Sequence, residues 1–417
     1  METTFPRTAL NIKDQICRGL LIKKLSSLRE GRIEVVEMFG GPAQQFVLGN
    51  DGADSTLVSR IKIRNPRAYT KIVLGGTIGA GEAYTDGDWD SDELVQLVRI
   101  LVRNREQMTA LEVGAGSITA PLAKWFHLLN RNSIEGSRKN ISAHYDLGND
   151  FFALFLDPSW MYSSGYFKNG AKSLEDAQNE KMHRICKALN LGPQDHLLEI
   201  GTGWGGFAIF AAKHYGCKVT TTTISKRQHE LAAKRIDEHG LTGQIELLFE
   251  DYRLLTGTYD KLVSIEMIEA VGLENLPVYF KKCSSLLKPG GQMVLQAITI
   301  RDQLFESAKR NVDFIQRYIF PGSGIPSIGS MVKAVGENTD LQWVGSEDFG
   351  QDYARTLQVW SENLKANHSE VLKAGYSDSL YRMWQYYFGY CQGGFLERSI
   401  GVSHVHLLKP GYSGEKT

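Results

Sequence analysis

Hydrophobic and polar positions change their spacing several times along the chain. Residues 10–28, LNIKDQICRGLLIKKLSSL, place apolar side chains at helical spacing among basic ones and predict a basic amphipathic helix. Residues 33–75 alternate between the two classes and contain the turn signals FGGP and GNDG, which predicts short antiparallel strands. The segment that starts at Ser91, SDELVQLVRILVRNR, predicts a capped helix.

From residue 173 onward, helical and strand patterns alternate. Helices are predicted by the segments SLEDAQNEKMHRICKALNL, GGFAIFAAKHYG and SKRQHELAAKRIDEHG. Strands are predicted by the segments HLLEIG, CKVTTTTI, QIELLFED, KLVSIEM and GGQMVLQAITI. Strands that alternate with helices form a parallel sheet covered on both faces. The sequence therefore predicts a doubly wound, Rossmann-like α/β domain at 141–417, a linker at 105–140 and a smaller α+β domain at 1–104.

Composition and charge narrow the class of protein. Among 417 residues, 47 Lys and Arg balance 47 Asp and Glu, so the overall charge gives no reason to expect a nucleic-acid partner. The excess of basic residues in 1–80 and the run of acidic residues in 81–97 are typical of solvated faces. Five scattered cysteines without a CxxC pair indicate a reducing compartment and no zinc site. No apolar run is long enough to span a membrane and no signal peptide is visible, which predicts a cytoplasmic protein.

A glycine-rich turn, GTGWGGF, follows the predicted strand HLLEI. Gly201, Gly203, Gly205 and Gly206 stand where a strand becomes a helix, and glycine there lets a ligand approach the backbone. A dinucleotide-binding turn would be followed by an acidic residue about 20 positions later, but that region reads TTTTISKRQ. A purely structural turn is the alternative at this point.

The stretch at 144–167, HYDLGNDFFALFLDPSWMYSSGYF, is unusually aromatic. Eight of its 24 residues are aromatic, and it follows neither the helical nor the strand period. Phe151, Phe152 and Phe155 are expected to be ordinary core residues. Tyr162 and Tyr166 are better candidates for the walls of a binding site, because aromatic faces suit both a lipid chain and a cation.

Several ordered motifs together resemble the cyclopropane-fatty-acid synthase family, which includes the mycolic acid cyclopropane synthases. These motifs are GAGEAYTDGDWDSDEL, the aromatic stretch, LLEIGTGWGGFAIFAA, the T-x-S-x-x-Q pattern at 223–228, EDYR at 250–253, YIFPGSGIPSI at 318–328 and DYARTLQVW at 352–360. The resemblance covers essentially the whole chain. It implies a methyltransferase domain at 141–417 and a lipid- or membrane-associated domain at 1–104.

The resemblance also implies S-adenosylmethionine as the methyl donor. It assigns Gly201 and Gly203 to the methionine part, Thr223 and Gln228 to the ribose, Asp251 or Tyr252 to the adenine, and Tyr162 with Ser163 to the cover over the cofactor. The implied substrates are membrane phospholipids with unsaturated acyl chains, whose cis double bonds become cyclopropanes.

Members of the family use a bound bicarbonate ion as the base that closes the ring. The resemblance places this ion among Glu269, Tyr353, Ile298 and Cys391, together with two positions that depart from the family, Ser164 for Cys and Gln296 for His. A glutamine can hold an anion but cannot relay a proton as histidine can. The alternative product is therefore a mid-chain methylene, formed by a hydride shift and loss of a proton, or, with a reductase, a mid-chain methyl branch.

Other features have plainer interpretations. DGDWDSDE lacks the later ligands of a calcium loop. His404 and His406 are expected to be structural, Cys391 could be a buried inert thiol, and Glu266 is expected to pack or cap locally. By analogy, the protein is predicted to be a homodimer that binds peripherally to the inner face of the membrane. A soluble methyltransferase of small molecules and a non-catalytic lipid-binding protein are the remaining alternatives, and the intact glycine turn argues against the latter.

Overall fold

The computed structural model describes residues 10–50, 56–109 and 147–412, together with residue 136. The predicted linker at 105–140 lies mostly outside the described residues. The chain divides into two compact units. The first contains the described residues up to 109 with Asn311–Ile319 and Trp360–Ser399, and the second contains the remaining described residues.

Helices and strands are numbered in chain order over the described residues. The helices are α1 (Ile12–Leu25), α2 (Arg67–Thr85), α3 (Leu94–Arg103), α4 (Arg105–Thr109), α5 (Asn149–Ala153), α6 (Leu174–Ala188), α7 (Gly206–Tyr215), α8 (Lys226–Glu238), α9 (Leu276–Leu286), α10 (Asp302–Arg310), α11 (Phe314–Tyr318), α12 (Ile328–Asn338), α13 (Gly350–Ala366), α14 (His368–Lys373) and α15 (Asp378–Leu396). The strands are β1 (Arg32–Glu37), β2 (Gln44–Gly49), β3 (Val58–Ile63), β4 (Trp89–Ser91), β5 (His196–Ile200), β6 (Lys218–Thr222), β7 (Ile245–Leu248), β8 (Tyr259–Ile265), β9 (Leu287–Ile300), β10 (Gln342–Asp348) and β11 (Ile400–Leu408).

A four-stranded sheet, in the order β2-β1-β3-β4, forms part of the first unit. The prediction of antiparallel strands across 33–75 is correct for β1 with β2 and wrong for β1 with β3, which pair in parallel. It is also wrong from Arg67, where α2 begins, because alternation over a few residues does not distinguish a strand from a half-buried helix. The helix predicted from Ser91 begins at Leu94, and Ser91 itself belongs to β4.

Helix α15 belongs to the first unit and not to a continuous domain over 141–417. Two of its glycines make this possible. A Cβ atom on Gly389 would lie 2.8 Å from Leu94 Cδ2, and one on Gly393 would lie 2.6 Å from Val98 Cγ1. Because both positions are glycine, α15 packs tightly against α3. The predicted domain boundaries therefore differ from the compact units, since distant parts of a chain can share one core.

The second unit contains a seven-stranded sheet in the order β10-β11-β9-β8-β5-β6-β7. Strands β5 to β9 run in parallel, and β11 is antiparallel to its neighbours β9 and β10. Alternate residues of β5 reach opposite faces, so that Leu197 joins one buried cluster and Leu198 the other. The doubly wound, Rossmann-like α/β fold is confirmed.

Local signals fix the ends of the helices that surround this sheet. Ser173 and Asp176 form a capping box at the start of α6, and the Ser225 side chain caps α8. Helix α7 ends at Gly216, whose φ of 71° lies in the left-handed region. These helices begin and end within a few residues of the positions that the sequence predicts.

Candidate active site

The glycine turn follows β5 directly and leads into α7. Gly201, Gly203 and Gly205 have φ values of 104°, 54° and 84°, which other residues adopt at a cost in strain. At Gly203, no atom of the described residues lies within 4 Å of the position that a Cβ atom would take. The backbone at this turn is therefore open to a ligand.

The predicted cofactor residues lie at neighbouring strand ends. Ile200, Thr222 and Leu248 are register partners at the carboxyl ends of β5, β6 and β7. The residues that follow are therefore at one edge of the sheet, where open α/β folds bind their ligands.

Four of these side chains are held by local contacts, three of them by hydrogen bonds. Thr223 Oγ1 donates to Gln228 Oε1 at 2.9 Å. The Asp251 carboxylate accepts from the Arg253 guanidinium at 2.7 and 2.8 Å, and the Tyr252 ring packs edge-on against Tyr279. These contacts pre-order groups that the family resemblance assigns to the ribose and adenine.

The aromatic stretch packs on the glycine turn. The Phe152 and Trp204 rings lie 4.9 Å apart, and the Tyr162 ring lies 5.3 Å from Phe152. A Cβ atom on Gly206 would lie 2.5 Å from the Ser159 carbonyl oxygen, so only glycine allows this approach. The Arg235 guanidinium bridges the two segments by donating to the Trp204 and Ser159 carbonyl oxygens.

The predicted core residues of this stretch, Phe151, Phe152 and Phe155, are fully buried.

Ser163, which the family resemblance assigns to the cofactor, accepts a hydrogen bond of 2.6 Å from the Lys181 ammonium. Lys181 is itself fully buried, and this burial lowers its pKa to about 8. Lys181 was not predicted from the sequence, because it stands as one lysine among several charged residues in an ordinary amphipathic helix.

Glu266 is the centre of the polar network, although the sequence predicted only a local packing role. Its Oε1 accepts from the Ser164 backbone N–H at 2.9 Å and from Gln296 Nε2 at 2.7 Å. Its Oε2 accepts from the Tyr353 hydroxyl at 2.7 Å. Three residues predicted to surround an anion therefore converge on a carboxylate of the protein.

The backbone of Glu266 is unusual as well. Its φ is 48°, in the left-handed region that is uncommon for a residue with a side chain. The residue follows β8, the neighbour of β5, and the next residue, Met267, would lie 3.2 Å from a Cβ atom on Gly201. The strained residue is therefore immediately beside the glycine turn, and such strain is often found at functional sites.

Gln296 is fully buried and oriented by His404. His404 Nε2 donates to Gln296 Oε1 at 2.9 Å, which leaves the Gln296 amide nitrogen to face Glu266. Burial lowers the pKa of His404 to about 3, so its imidazole is neutral. The expected structural role of His404 is thus a specific one, because it sets which end of the amide faces the carboxylate.

Glu269 lies close to this network but has different partners. Its Oε1 accepts from the Ile298 N–H at 2.5 Å, while its buried Oε2 has no hydrogen-bond partner among the described residues. Burial, and then the charge of Glu266, raise the pKa of Glu269 to about 8. At neutral pH Glu269 is therefore protonated, whereas Glu266 accepts three hydrogen bonds as a carboxylate does.

The family model for mycolic acid cyclopropane synthetase matches residues 132–405. The chain belongs to this family. It is accordingly an S-adenosylmethionine-dependent methyltransferase, as the family resemblance implies.

Full-length relatives of the family are similar over most of the chain. The tuberculostearic acid methyltransferase UfaA1 of Mycobacterium tuberculosis is 32% identical over 379 residues, covering 86% of this chain and 86% of its own. The cyclopropane-fatty-acyl-phospholipid synthase of Escherichia coli K12 is 34% identical over 348 residues, covering 83% of this chain and 86% of its own. The crystal structure of the mycolic acid cyclopropane synthase CmaA1 with SAH and CTAB superposes with a TM-score of 0.62 at 30% identity, covering 65% of this chain and 98% of that one.

One residue that the family resemblance assigns to the site lies in the first unit. Cys391 is on α15, and burial raises the pKa of its thiol. Its assignment to the anion site stays a prediction. The other five residues assigned to that site, Ser164, Glu269, Gln296, Ile298 and Tyr353, all belong to the second unit.

Proposed function

We propose that this chain transfers the methyl carbon of S-adenosylmethionine to the cis double bond of an unsaturated acyl chain in a membrane phospholipid, forming a cyclopropane. One observation carries the proposal. The short segment from Tyr162 to Ser164 connects an aromatic wall on the glycine turn with the carboxylate of Glu266. An apolar wall and a base, both beside the methyl donor, are what this reaction requires.

The groups around the glycine turn fit the methyl donor. When bound, S-adenosylmethionine supplies an electrophilic methyl group. The open backbone at Gly203, with Gly201 beside it in the turn, would hold its methionine part, and Thr223 with Gln228 would hold its ribose. The adenine would lie near Asp251 and Tyr252, and Tyr162 with Ser163 would cover the site.

The aromatic residues have two tasks in this proposal. Methylation of an alkene leaves a positive charge on carbon, and the electron-rich faces of Tyr162 and Trp204 can stabilise such a charge. The same rings exclude water that would otherwise capture the cation. The side chains of Phe152 and Phe320 pack against Tyr162 and support this wall.

The residues present do not fit a bound bicarbonate. Of the groups predicted to hold it, the Ser164 N–H, the Gln296 amide and the Tyr353 hydroxyl already donate to Glu266. The Ile298 N–H donates to Glu269. A second anion would therefore meet few available donors and the charge of Glu266, so no step of the proposed reaction includes bicarbonate.

A second candidate product is a mid-chain methylene on the same acyl chain, which a separate reductase would convert to a methyl branch. The relative UfaA1 is named a tuberculostearic acid methyltransferase. The specific observation in its favour is Gln296, which is fixed between His404 and Glu266 and cannot relay a proton. Slower loss of the proton would give a hydride shift time to move the charge along the chain.

Mass spectrometry of lipids from a host that lacks cyclopropane fatty acids tests the proposal and separates the two products. Expression of this chain should add one CH₂ unit to phospholipid acyl chains and remove the reactivity of their double bonds. A gain of one CH₂ with unsaturation retained would indicate the methylene product. Lipids that are unchanged by expression of an active, S-adenosylmethionine-binding protein would contradict both.

Helix α1 is the proposed contact with the membrane surface. Ile12, Ile16 and Leu20 stand four residues apart, and their side chains are 79%, 59% and 53% exposed. Lys23 is exposed in the next turn. An exposed apolar stripe beside basic residues is typical of helices that lie in a membrane interface. Within the described residues, no helix is long and apolar enough to cross a bilayer.

Replacing Lys23 and Lys24 by Glu should weaken binding to vesicles that contain anionic lipid. Each lysine near such a surface contributes about 1 kcal/mol, so the double change should reduce binding at least tenfold. Binding of the wild-type protein should also fall as salt rises, because salt screens exposed charges. Co-sedimentation with vesicles measures both effects.

Lys281 and Lys282 provide a matched control, since they form an adjacent pair on α9. Lys281 is exposed, as Lys23 is, and Lys282 is half-buried, as Lys24 is. Changing them to Glu should leave vesicle binding nearly intact. Equal losses from the two pairs would show that overall charge, and not α1, governs binding. The predicted homodimer and the location at the inner face of the membrane stay predictions.

A further inference from the structure

We infer that the Glu266 carboxylate is the catalytic base of this enzyme and takes the place of a bound anion. The inference rests on the proposed function, and it deepens it by naming the group that accepts the proton. In ring closure, a C–H bond of the added carbon breaks and its electron pair forms the second C–C bond to the cationic carbon. The released proton goes to Glu266, so no oxidant or further reactant is needed.

The hydrogen bonds of Glu266 leave it able to accept a proton. A carboxylate offers about four lone-pair positions on its two oxygens. Oε1 accepts from the Ser164 N–H and Gln296 Nε2, which fills its two positions. Oε2 accepts from the Tyr353 hydroxyl and has a second position. The proton is therefore expected to arrive at Oε2, while the three donors hold the carboxylate in place.

The two neighbouring glutamates have different hydrogen-bond environments. Burial raises the pKa of Glu266, while the hydrogen bonds from Tyr353, Ser164 and Gln296 and the charge of Lys181 oppose this rise. Glu269 has fewer donors, and its pKa is raised to about 8. Pairs of carboxyl groups with unequal environments commonly divide acid and base roles in this way. Three donors favour the ionised form of Glu266, which makes it the better base of the pair.

The position of Glu266 is consistent with this role. The residue follows the carboxyl end of β8, and its neighbour Met267 packs against Gly201 of the glycine turn. The Ser164 backbone that donates to Glu266 belongs to the stretch that supplies the aromatic wall. A carboxylate at this place is therefore close to both the methyl donor and the wall that would contain the acyl chain.

Glu266→Gln tests the inference directly, because it keeps the size of the side chain and removes its basicity. Turnover on vesicles of unsaturated phospholipid should fall by about 10² or more, the usual contribution of a general base. Affinity for S-adenosylmethionine, measured by calorimetry, should stay within about threefold, which shows that the variant is folded. The exposed Glu337→Gln serves as the control and should leave turnover unchanged.

Glu266→Gly tests whether the Glu266 carboxylate takes the place of a bound anion. Glycine adopts a φ of 48° without strain, and its substitution leaves the donors of Ser164, Gln296 and Tyr353 without the carboxylate. This variant should be nearly inactive in buffer free of bicarbonate. Added bicarbonate or acetate should restore its turnover at least tenfold, but should not restore that of Glu266→Gln, in which the side chain still fills the site.

The wild-type enzyme provides a test that needs no variant. Its turnover should be the same in buffer depleted of bicarbonate and in buffer that contains it. A fall in wild-type turnover on depletion, or wild-type turnover in Glu266→Gln, would overturn the inference while leaving the proposed function intact. A wild-type protein that binds S-adenosylmethionine but modifies no lipid would overturn the proposed function and this inference with it.

Discussion

Gly203→Val should abolish binding of S-adenosylmethionine while the second unit stays folded. At this position a Cβ atom would meet no atom of the described residues within 4 Å, so the valine side chain would project into open space. That space is where the proposed methionine part approaches the backbone. Calorimetry should therefore show at least a hundredfold loss of affinity, and turnover should be lost with it.

Strain is the competing explanation for such a loss, because valine is disfavoured at a φ of 54°. Gly240 is a matched control. It has a φ of 67°, it is exposed, and a Cβ atom there would also meet no described atom within 4 Å. Gly240→Val should lower the thermal midpoint to a similar extent and leave affinity unchanged. If both variants bind the cofactor like the wild type, the assignment of the glycine turn is wrong.

Glu269→Ala should reduce turnover by about 10² with cofactor affinity nearly intact. The substitution leaves the Ile298 N–H without its acceptor and removes the neutral carboxyl group beside Glu266. An unpaired buried donor costs about 1–3 kcal/mol and displaces its surroundings, which at this site are the groups that hold the base. Steady-state kinetics on phospholipid vesicles, with Glu274→Ala as an exposed control, measures the effect.

Glu269→Gln separates a positioning role from a catalytic one. Because the raised pKa keeps Glu269 protonated at neutral pH, a glutamine has the same charge and can still accept from Ile298. Glu269→Gln should therefore lose less than about tenfold, in contrast to Glu266→Gln. A loss in Glu269→Gln as large as that of the alanine variant would show that Glu269 itself exchanges a proton. Near-normal turnover in Glu269→Ala would show that Glu269 has no role in the site.

Several features of this protein are determined by the sequence alone. The periodicity and caps of residues from 173 onward predict the α/β fold, since helices such as α6 and α8 carry their own start signals in Ser173 and Ser225. The glycine turn and the aromatic stretch identify the family and the cofactor. These inferences succeed because they depend on local conformational preferences and on short runs of residues that are adjacent in the chain.

Other features depend on contacts between distant residues. Only the tertiary structure places α15 against α3, through close contacts at Gly389 and Gly393, and pairs β1 with β3 in parallel. Neither follows from periodicity, because a pattern of apolar positions shows that a face is buried but not against what.

The choice between Glu266 and Glu269 was also decided by the tertiary structure. The two lie three residues apart in SIEMIEAVG, and the resemblance to the family favours Glu269. The backbone turns into the left-handed region at Glu266, which directs its carboxylate toward donors from three distant segments of the chain. The sequence supplies the residue types, but a positive φ at a non-glycine residue and the convergence of remote donors arise only when the strands and the aromatic stretch pack together.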